Sequence, residues 1–336
     1  MKKIAIIGSG SFGTALSVVT ARAGNDVRLW AREAEIATAI NNRHQNPAYL
    51  TDVILPDAIE CHSQLPECLQ ERDIIMFAVP SHALREVAQK VKPLMSGDEI
   101  LVNVAKGIEN ETFMTMSQVL AEVFEGVIID DKIGVISGPS HAEEVAKFRP
   151  TTVVATSNSK RTARIIQKTF MTPMFRIYLN YDITGVEIGG SVKNIMAIAA
   201  GIIDGAELGD NAKAAVITRG LHEMKRLGMQ LGASQDTFSG LSGMGDLVVT
   251  CTSRHSRNRK LGFQIGQGRQ LREVVDEMNM VAEGVNTTKS VLQWSNKLNV
   301  EMPITAAVYR VLYENELPED MLYDLMTRNA KEEIMI

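Results

Sequence analysis

Cysteine is scarce in this chain: 3 among 336 residues, Cys61, Cys68 and Cys251, with neither CxxC spacing nor an even count. The 6 histidines lie far apart and form no HExxH or mixed His/Cys pattern. A disulfide framework and a metal site are therefore unexpected, and a reducing cytoplasm is the fitting compartment. Proline is also sparse, at 10, and no stretch approaches ~20 uninterrupted apolar residues, so disorder and a membrane span are both unexpected. Met1-Lys2-Lys3 and Ile4-Ala5-Ile6-Ile7 open like an export signal. The polar turn Gly8-Ser9-Gly10-Ser11 ends that apolar run well short of the ~7–15 residues a signal needs. Positive charge is in deficit too, with 35 Lys and Arg against 40 Asp and Glu and a formal net charge of −5. Such a surface repels nucleic acid and anionic membranes, so an anionic ligand needs a local cluster of cations.

What remains is an ordinary globular composition, 45% hydrophobic and 22% charged, in a length that at roughly 150 residues per domain suggests two domains. In the first half, short apolar runs alternate with segments of helical period, the pattern of βαβ units and a parallel sheet. Strands are expected near Lys3–Ile7, Asp26–Trp30, Asp73–Val79, Glu99–Val104, Lys132–Ser137 and Thr152–Ala155, with helices including Phe12–Ala23, His82–Leu94 and Thr112–Phe124. The run Asp73-Ile74-Ile75-Met76-Phe77-Ala78-Val79 is continuous rather than alternating, so helices should cover both sheet faces. Beyond about residue 180 strand signals fade, and Ile188, Val192, Ile195, Met196, Ala199 and Ile203 recur at helical spacing. The expected domains are 1–180 and 181–336, packed closely, with ligand sites favoured between them.

The first strand runs into Gly8-Ser9-Gly10-Ser11-Phe12-Gly13 and then a helix, which is GxGxxG in the setting dinucleotide binding requires. Its glycines permit a tight turn and close backbone approach, and the helix N-terminus offers free N–H groups to a pyrophosphate. The expected fold class is thus α/β, a Rossmann-like doubly wound sheet followed by an all-helical domain. The second strand ends in Ala31-Arg32-Glu33; Arg32 at its tip favours NADP, while Glu33 keeps NAD open.

Gly189, Gly190 and Ala197 surround Lys193 at helical spacing. Two helix-weakening glycines in succession imply that a ligand or another backbone packs very close. A lysine desolvated there is a source of an acid–base group with lowered pKa; the alternative is a lysine that snorkels out of a tight helix contact. Around Ser137-Gly138-Pro139-Ser140-His141-Ala142-Glu143 a strand gives way to a helix, with Ser140 and Glu143 spaced as a capping box. Lys106 follows the fourth strand on the same sheet edge as the glycine turn. Finally, Gly243-Met244-Gly245-Asp246 leads through Thr250 to Arg254-His255-Ser256-Arg257-Asn258-Arg259-Lys260, a cation cluster suited to a phosphate and, without interleaved aromatics, not to nucleic acid. The 17 methionines, scattered through both halves, read as core filling.

Taken in order, the Gly8–Gly13 turn, Lys106-Gly107, Ser137–Ser140, Val186-Glu187 through Lys193-Asn194, Gly243–Asp246, Arg254–Asn258 and Ala282–Val285 make the chain resemble the bacterial NAD(P)-dependent glycerol-3-phosphate dehydrogenases over its whole length. The resemblance implies that Lys193 is the proton donor and acceptor and that Lys106 contacts both cofactor and substrate. It implies a substrate site at Gly138, Ser140, Asp246, Ser256, Arg257 and Asn258, with Asn194 and Thr250 nearby. It implies dinucleotide contacts at Ser11, Phe12, Arg32, Ala142, Arg257, Val281 and Glu283, beside Gly8, Gly10 and Gly13. Ala105, where a hydroxyl is usual, and His141, where an aromatic is usual, depart from the family. The implied reaction is reversible reduction of dihydroxyacetone phosphate by NADPH or NADH, feeding phospholipid synthesis in the cytoplasm, with a homodimer among the states allowed. Two rivals stay open: a related sugar-acid or hydroxyacyl dehydrogenase, and a regulatory protein that binds NAD(P) without turnover.

Overall fold

The apolar run at Ile74–Phe77 lies inside an eight-stranded sheet. In the computed structural model, which describes residues 1–278, 281–330, 332 and 333, the strands are β1 (Lys3–Ile7), β2 (Asp26–Trp30), β3 (Ile59–His62), β4 (Ile74–Phe77), β5 (Ile100–Asn103), β6 (Ile133–Ser137), β7 (Thr151–Ser157) and β8 (Phe175–Leu179). Their order is β3-β2-β1-β4-β5-β6-β7-β8. Successive side chains of β4 enter different cores: Ile74 and Met76 join Ile4, Ile6 and Leu16, whereas Ile75 and Phe77 join Ala5, Ile7 and Leu120. Both faces are therefore covered, which is why the run is continuous.

The covering helices are α1 (Ser11–Arg22), α2 (Ala34–Arg43), α3 (Leu65–Leu69), α4 (Leu84–Val91), α5 (Met116–Val123), α6 (Ala142–Ala146) and α7 (Lys160–Phe170). After β8 come α8 (Ile183–Gly205), α9 (Asp210–Gln230), α10 (Asp246–Thr252), α11 (Arg257–Gly266), α12 (Leu271–Glu277), α13 (Glu283–Lys297), α14 (Pro303–Tyr313) and α15 (Pro318–Met326). By length and composition α8 could cross a membrane; here its apolar stretch, residues 185–203, is buried inside the protein.

Three expectations need correction. The sheet is not parallel throughout: β6 and β7 pair antiparallel, because the link between them holds only the five-residue α6, too short to carry the chain back along the sheet. Strands β3 and β8 escape sequence reading because they are the sheet's two edges, where Glu60 and Arg176 face solvent and dilute the apolar signal. The helix expected from Thr112 begins at Met116, since Thr115 bridges to Ile108 and caps α5 in a reciprocal bond pair with Gln118.

Candidate active site

The carboxyl ends of β1, β4 and β5 and the heads of α6, α11 and α13 meet around a cleft of about 480 Å³. On one side is the glycine turn. Gly8 has φ +117, and a Cβ there would lie 2.9 Å from the Ala78 carbonyl; a Cβ on Gly13 would lie 1.9 Å from the Gly8 carbonyl. These two glycines serve turn and packing. A Cβ on Gly10 would meet nothing within 4 Å, so that surface is open where α1 begins, and the cradle fits a pyrophosphate. Asn46, wholly buried, holds the turn by donating to the Ser9 carbonyl at 2.8 Å and to Thr14 Oγ1 at 2.9 Å. Arg32 stands at the rim, paired at 2.6 Å with Glu33.

Two lysines share the cleft with this turn, Lys106 from the sheet and Lys193 from the helical half. Asn103 clasps the backbone of Ala105 with bonds of 2.9 and 3.0 Å, shaping the turn that carries Lys106 off β5. The Lys106 ammonium donates to the Gly138 carbonyl at 3.0 Å and to Asp246 Oδ2 at 2.6 Å. Lys193 stands midway along α8. A Cβ on Gly189 would lie 2.6 Å from the Ser242 carbonyl, and one on Gly190 would lie 2.8 Å from Ser137 Oγ. The close neighbour expected beside the two glycines is thus, in part, another stretch of backbone. That backbone is a π-helical turn, Leu241–Gly245, which leads directly into Asp246. Lys193 Nζ donates to Asp246 Oδ1 at 2.8 Å and to Thr250 Oγ1 at 2.7 Å.

Burial pulls the Lys193 ammonium down to about 8; Asp246 opposes that shift and Lys106 adds to it. Burial pushes the Asp246 carboxyl up, but the two lysines outweigh it and hold Asp246 below its ordinary range. The cleft therefore contains an ammonium ready to lose its proton near neutral pH, on a carboxylate that stays charged. Beside it His141 and His255 form a tilted ring pair, centroids 5.9 Å apart, and burial with the charge of Lys193 lowers His141.

The head of α11 closes the cleft. Ser256 caps it, accepting from Arg259 N at 3.2 Å. Asn258 Oδ1 accepts from Gly284 N at 2.9 Å, so its amino end is the donor it can offer a ligand. Arg257 donates to the Val281 carbonyl at 3.1 Å. Backbone N–H groups at the head of this ten-residue helix add to the attraction for an anion.

Of the residues singled out from sequence, Gly8, Gly10, Ser11, Phe12, Arg32, Lys106, Ser140, Ala142, Lys193, Ser256, Arg257, Asn258, Val281 and Glu283 line the cleft together. Gly13, Gly138 and Asp246 lie behind its wall and act on the residues in front. The capping box at Ser140 and Glu143 is absent: His141 occupies the N-cap without a side-chain bond, and the Ser140 hydroxyl donates instead to the Gly138 carbonyl. The cation cluster is also smaller than its spelling. Arg259 turns away to Asp204, Arg254 and Lys260 are outside the cleft, and only His255 and Arg257 of the five reach it. Glu187, in one of the family-like blocks, is spent elsewhere, accepting from Ser117 N at 2.9 Å at the head of α5. Tyr49, His82 and Ser81 were not anticipated. Ser81 donates its backbone N–H, at 2.9 Å, and its hydroxyl to Glu283, a partnership across 202 residues that no local pattern announces. A second hollow, of about 540 Å³ beside β8, is lined by Tyr178, Asn180, Asp182, Ser234 and Asp236 among others, with no lysine, arginine or histidine among the described residues.

Known proteins are similar to this chain along almost its whole length. Residues 3–163 match the model of the NAD-dependent glycerol-3-phosphate dehydrogenase N-terminus, and residues 182–323 that of its C-terminus. The chain is 54% identical over 332 residues to a glycerol-3-phosphate dehydrogenase [NAD(P)+] of Chlorobium phaeobacteroides (strain BS1), covering 99% of each. It is 53% identical to one from Salinibacter ruber, covering 98% of this chain and 96% of that one. Among solved structures, glycerol-3-phosphate dehydrogenase from Coxiella burnetii superposes with a TM-score of 0.92 at 39% identity, covering 97% of this chain and 99% of that one.

Proposed function

The chain belongs to the NAD-dependent glycerol-3-phosphate dehydrogenase family, and from that premise we propose how the residues of its cleft carry out the reaction. It is an NAD(P)-dependent oxidoreductase that interconverts dihydroxyacetone phosphate and glycerol 3-phosphate. The observation that carries the residue assignment is the contact of Lys193 with Asp246 and Thr250 in a cleft that also holds the open Gly10 turn and the head of α11.

When bound, the nicotinamide supplies the hydride in one direction and takes it in the other. Ser11, Phe12 and the turn at Gly8, Gly10 and Gly13 would hold the dinucleotide, and Arg32 at the rim would favour NADPH. Val281, Glu283, Ala142 and Lys106, which line the same cleft, would flank it. Arg257, Asn258 and the N–H groups of α11 hold the substrate phosphate, supported by Ser140 and by Ser256 as the cap. The ammonium of Lys193 donates to the ketone oxygen as its negative charge develops, then gives it the proton; in the oxidation the neutral amine takes that proton back. Thr250 and Asp246 fix the direction of Nζ. Lys106, tied to Gly138 and Asp246, closes the wall beside the substrate. Phosphate capture away from the reacting carbon provides the alignment.

Residues 1–180 and 181–336 are, in this reading, the nucleotide and substrate domains. Three cysteines without CxxC spacing or an even count support a reducing cytoplasm, and the product suits phospholipid synthesis. A homodimer is part of the same proposal, checked by light scattering. The decisive assay is oxidation of NADPH dependent on dihydroxyacetone phosphate. Fast turnover, lowered at least about 10²-fold in Lys193→Ala, is the expected result. Cofactor binding without turnover, or faster turnover of a sugar acid or hydroxyacyl substrate, would overturn it.

A further inference from the structure

Helices α8 and α11 approach more closely than side chains permit. A Cβ on Gly201 would lie 2.1 Å from the Arg259 carbonyl oxygen, and one on Gly205 would lie 2.0 Å from that of Phe263. Reciprocally, a Cβ on Gly262 would lie 2.1 Å from the Ile198 carbonyl and one on Gly266 would lie 2.3 Å from that of Ile202. Each helix thus presents two glycines four residues apart to the other's backbone, and small residues at that spacing let helix backbones touch. Contacts advance together along both chains, from Ile198 with Gly262 to Ile202 with Gly266, so the helices run in the same direction. One turn back from Ile198 and Gly262 stand Asn194 and Asn258. There Gly284 wedges between the helices: a Cβ on it would lie 2.8 Å from the Asn194 carbonyl and 2.9 Å from Asn258 Oδ1. The crossing therefore begins one turn from Lys193 on α8 and one turn from the head of α11.

We propose that Gly201, Gly205, Gly262 and Gly266 are positioning residues that set the gap between the Lys193 ammonium and the phosphate clamp at Arg257 and Asn258, matching it to a three-carbon phosphate. The inference rests on the roles assigned above to Lys193, Arg257 and Asn258. An added methyl group at the crossing pushes α11 outward as a rigid rod. The clamp then remains intact but stands at the wrong distance from the acid. Misplacement of that kind removes the help a bound phosphate gives to the reacting carbon, while leaving a substrate without phosphate unaffected.

The test compares Gly262→Ala with the parent on dihydroxyacetone phosphate and on dihydroxyacetone, and measures inhibition by inorganic phosphate. We expect kcat/KM for the phosphorylated substrate to fall at least about 10-fold, with under about 3-fold change for dihydroxyacetone and for the inhibition constant of inorganic phosphate. Equal losses on both substrates, no loss on either, or weakened phosphate inhibition alongside the loss would each overturn the proposal. Should Gly262→Ala fail to fold, Gly266→Ala, one turn farther from the site, decides by the same split at smaller amplitude. Arg257→Ala separates the two levels: if it leaves turnover of dihydroxyacetone phosphate unchanged, the site assignment itself fails. If Arg257→Ala lowers turnover while the glycine variant shows no split, only the spacing role fails.

Discussion

Lys193 Nζ and Asp246 Oδ1 lie 2.8 Å apart, and both residues are almost wholly buried. The other oxygen of the same carboxylate is taken by Lys106. One buried negative charge therefore serves two lysines; burial, with the charge of Lys106 added, outweighs the pull of Asp246 and makes the Lys193 proton labile.

Reduction needs the ammonium, so its rate should fall as pH rises through about 8, and oxidation should rise through the same value. Lys193→Ala should lower kcat by at least about 10²-fold with an unchanged melting curve. The neighbours shift that limb in opposite senses. Asp246→Asn removes an attracting charge and should move it to lower pH, whereas Lys106→Met removes a repelling charge and should move it higher. A limb that stays fixed in both variants would assign the titration to another group.

The glycine turn separates packing from binding. Gly13→Ala drives a methyl group against the Gly8 carbonyl and should destabilise the protein by about 1–3 kcal/mol, read as a lowered melting temperature. Gly10→Ala meets open space, so its melting temperature should match the parent while KM for NADPH rises at least about 10-fold. Normal NADPH affinity in Gly10→Ala would remove the pyrophosphate from this turn.

Arg32 is solvent-facing and shares its guanidinium with Glu33. In Arg32→Ala, KM for NADPH should rise about 10-fold and KM for NADH by less than about 3-fold, since only the former carries a ribose phosphate for the guanidinium. Steady-state kinetics with each nucleotide checks this, and equal effects on both would assign Arg32 to the surface alone.

Far from the cleft, Glu223 on α9 accepts from Ile304 N at 2.5 Å, and from Thr305 N and Oγ1 at 3.1 and 3.0 Å, at the head of α14. Burial raises its carboxyl from 4.5 to about 7 despite those bonds. A raised carboxyl binds more protons folded than unfolded, so its contribution is complete below 4.5 and is lost as pH rises through 7, by about 3 kcal/mol in all. Thermal melts from pH 5 to pH 8 should show the parent losing stability relative to Glu223→Gln. A constant difference between the two would mean that Glu223 is ionised throughout.

Much of this was local and hence readable along the chain. Ile4–Ile7 followed by Gly8–Gly13 specifies strand, turn and helix within a dozen residues, and the apolar periodicity of Ile188–Ile203 marks a buried helix, because backbone geometry and burial act at short range. The two glycines before Lys193 even signalled that something would press against it. Tertiary structure alone decided what does the pressing: the Ser242 carbonyl of a π-helical turn 53 residues beyond Gly189. It also decided that Asp246 would hold Lys193 and Lys106 together, that Arg259 would leave the cation cluster for Asp204, and that Ser81 would meet Glu283. Charges of like spelling differ in partner only once the chain brings distant segments together. A pKa is set by that enclosure, not by residue type.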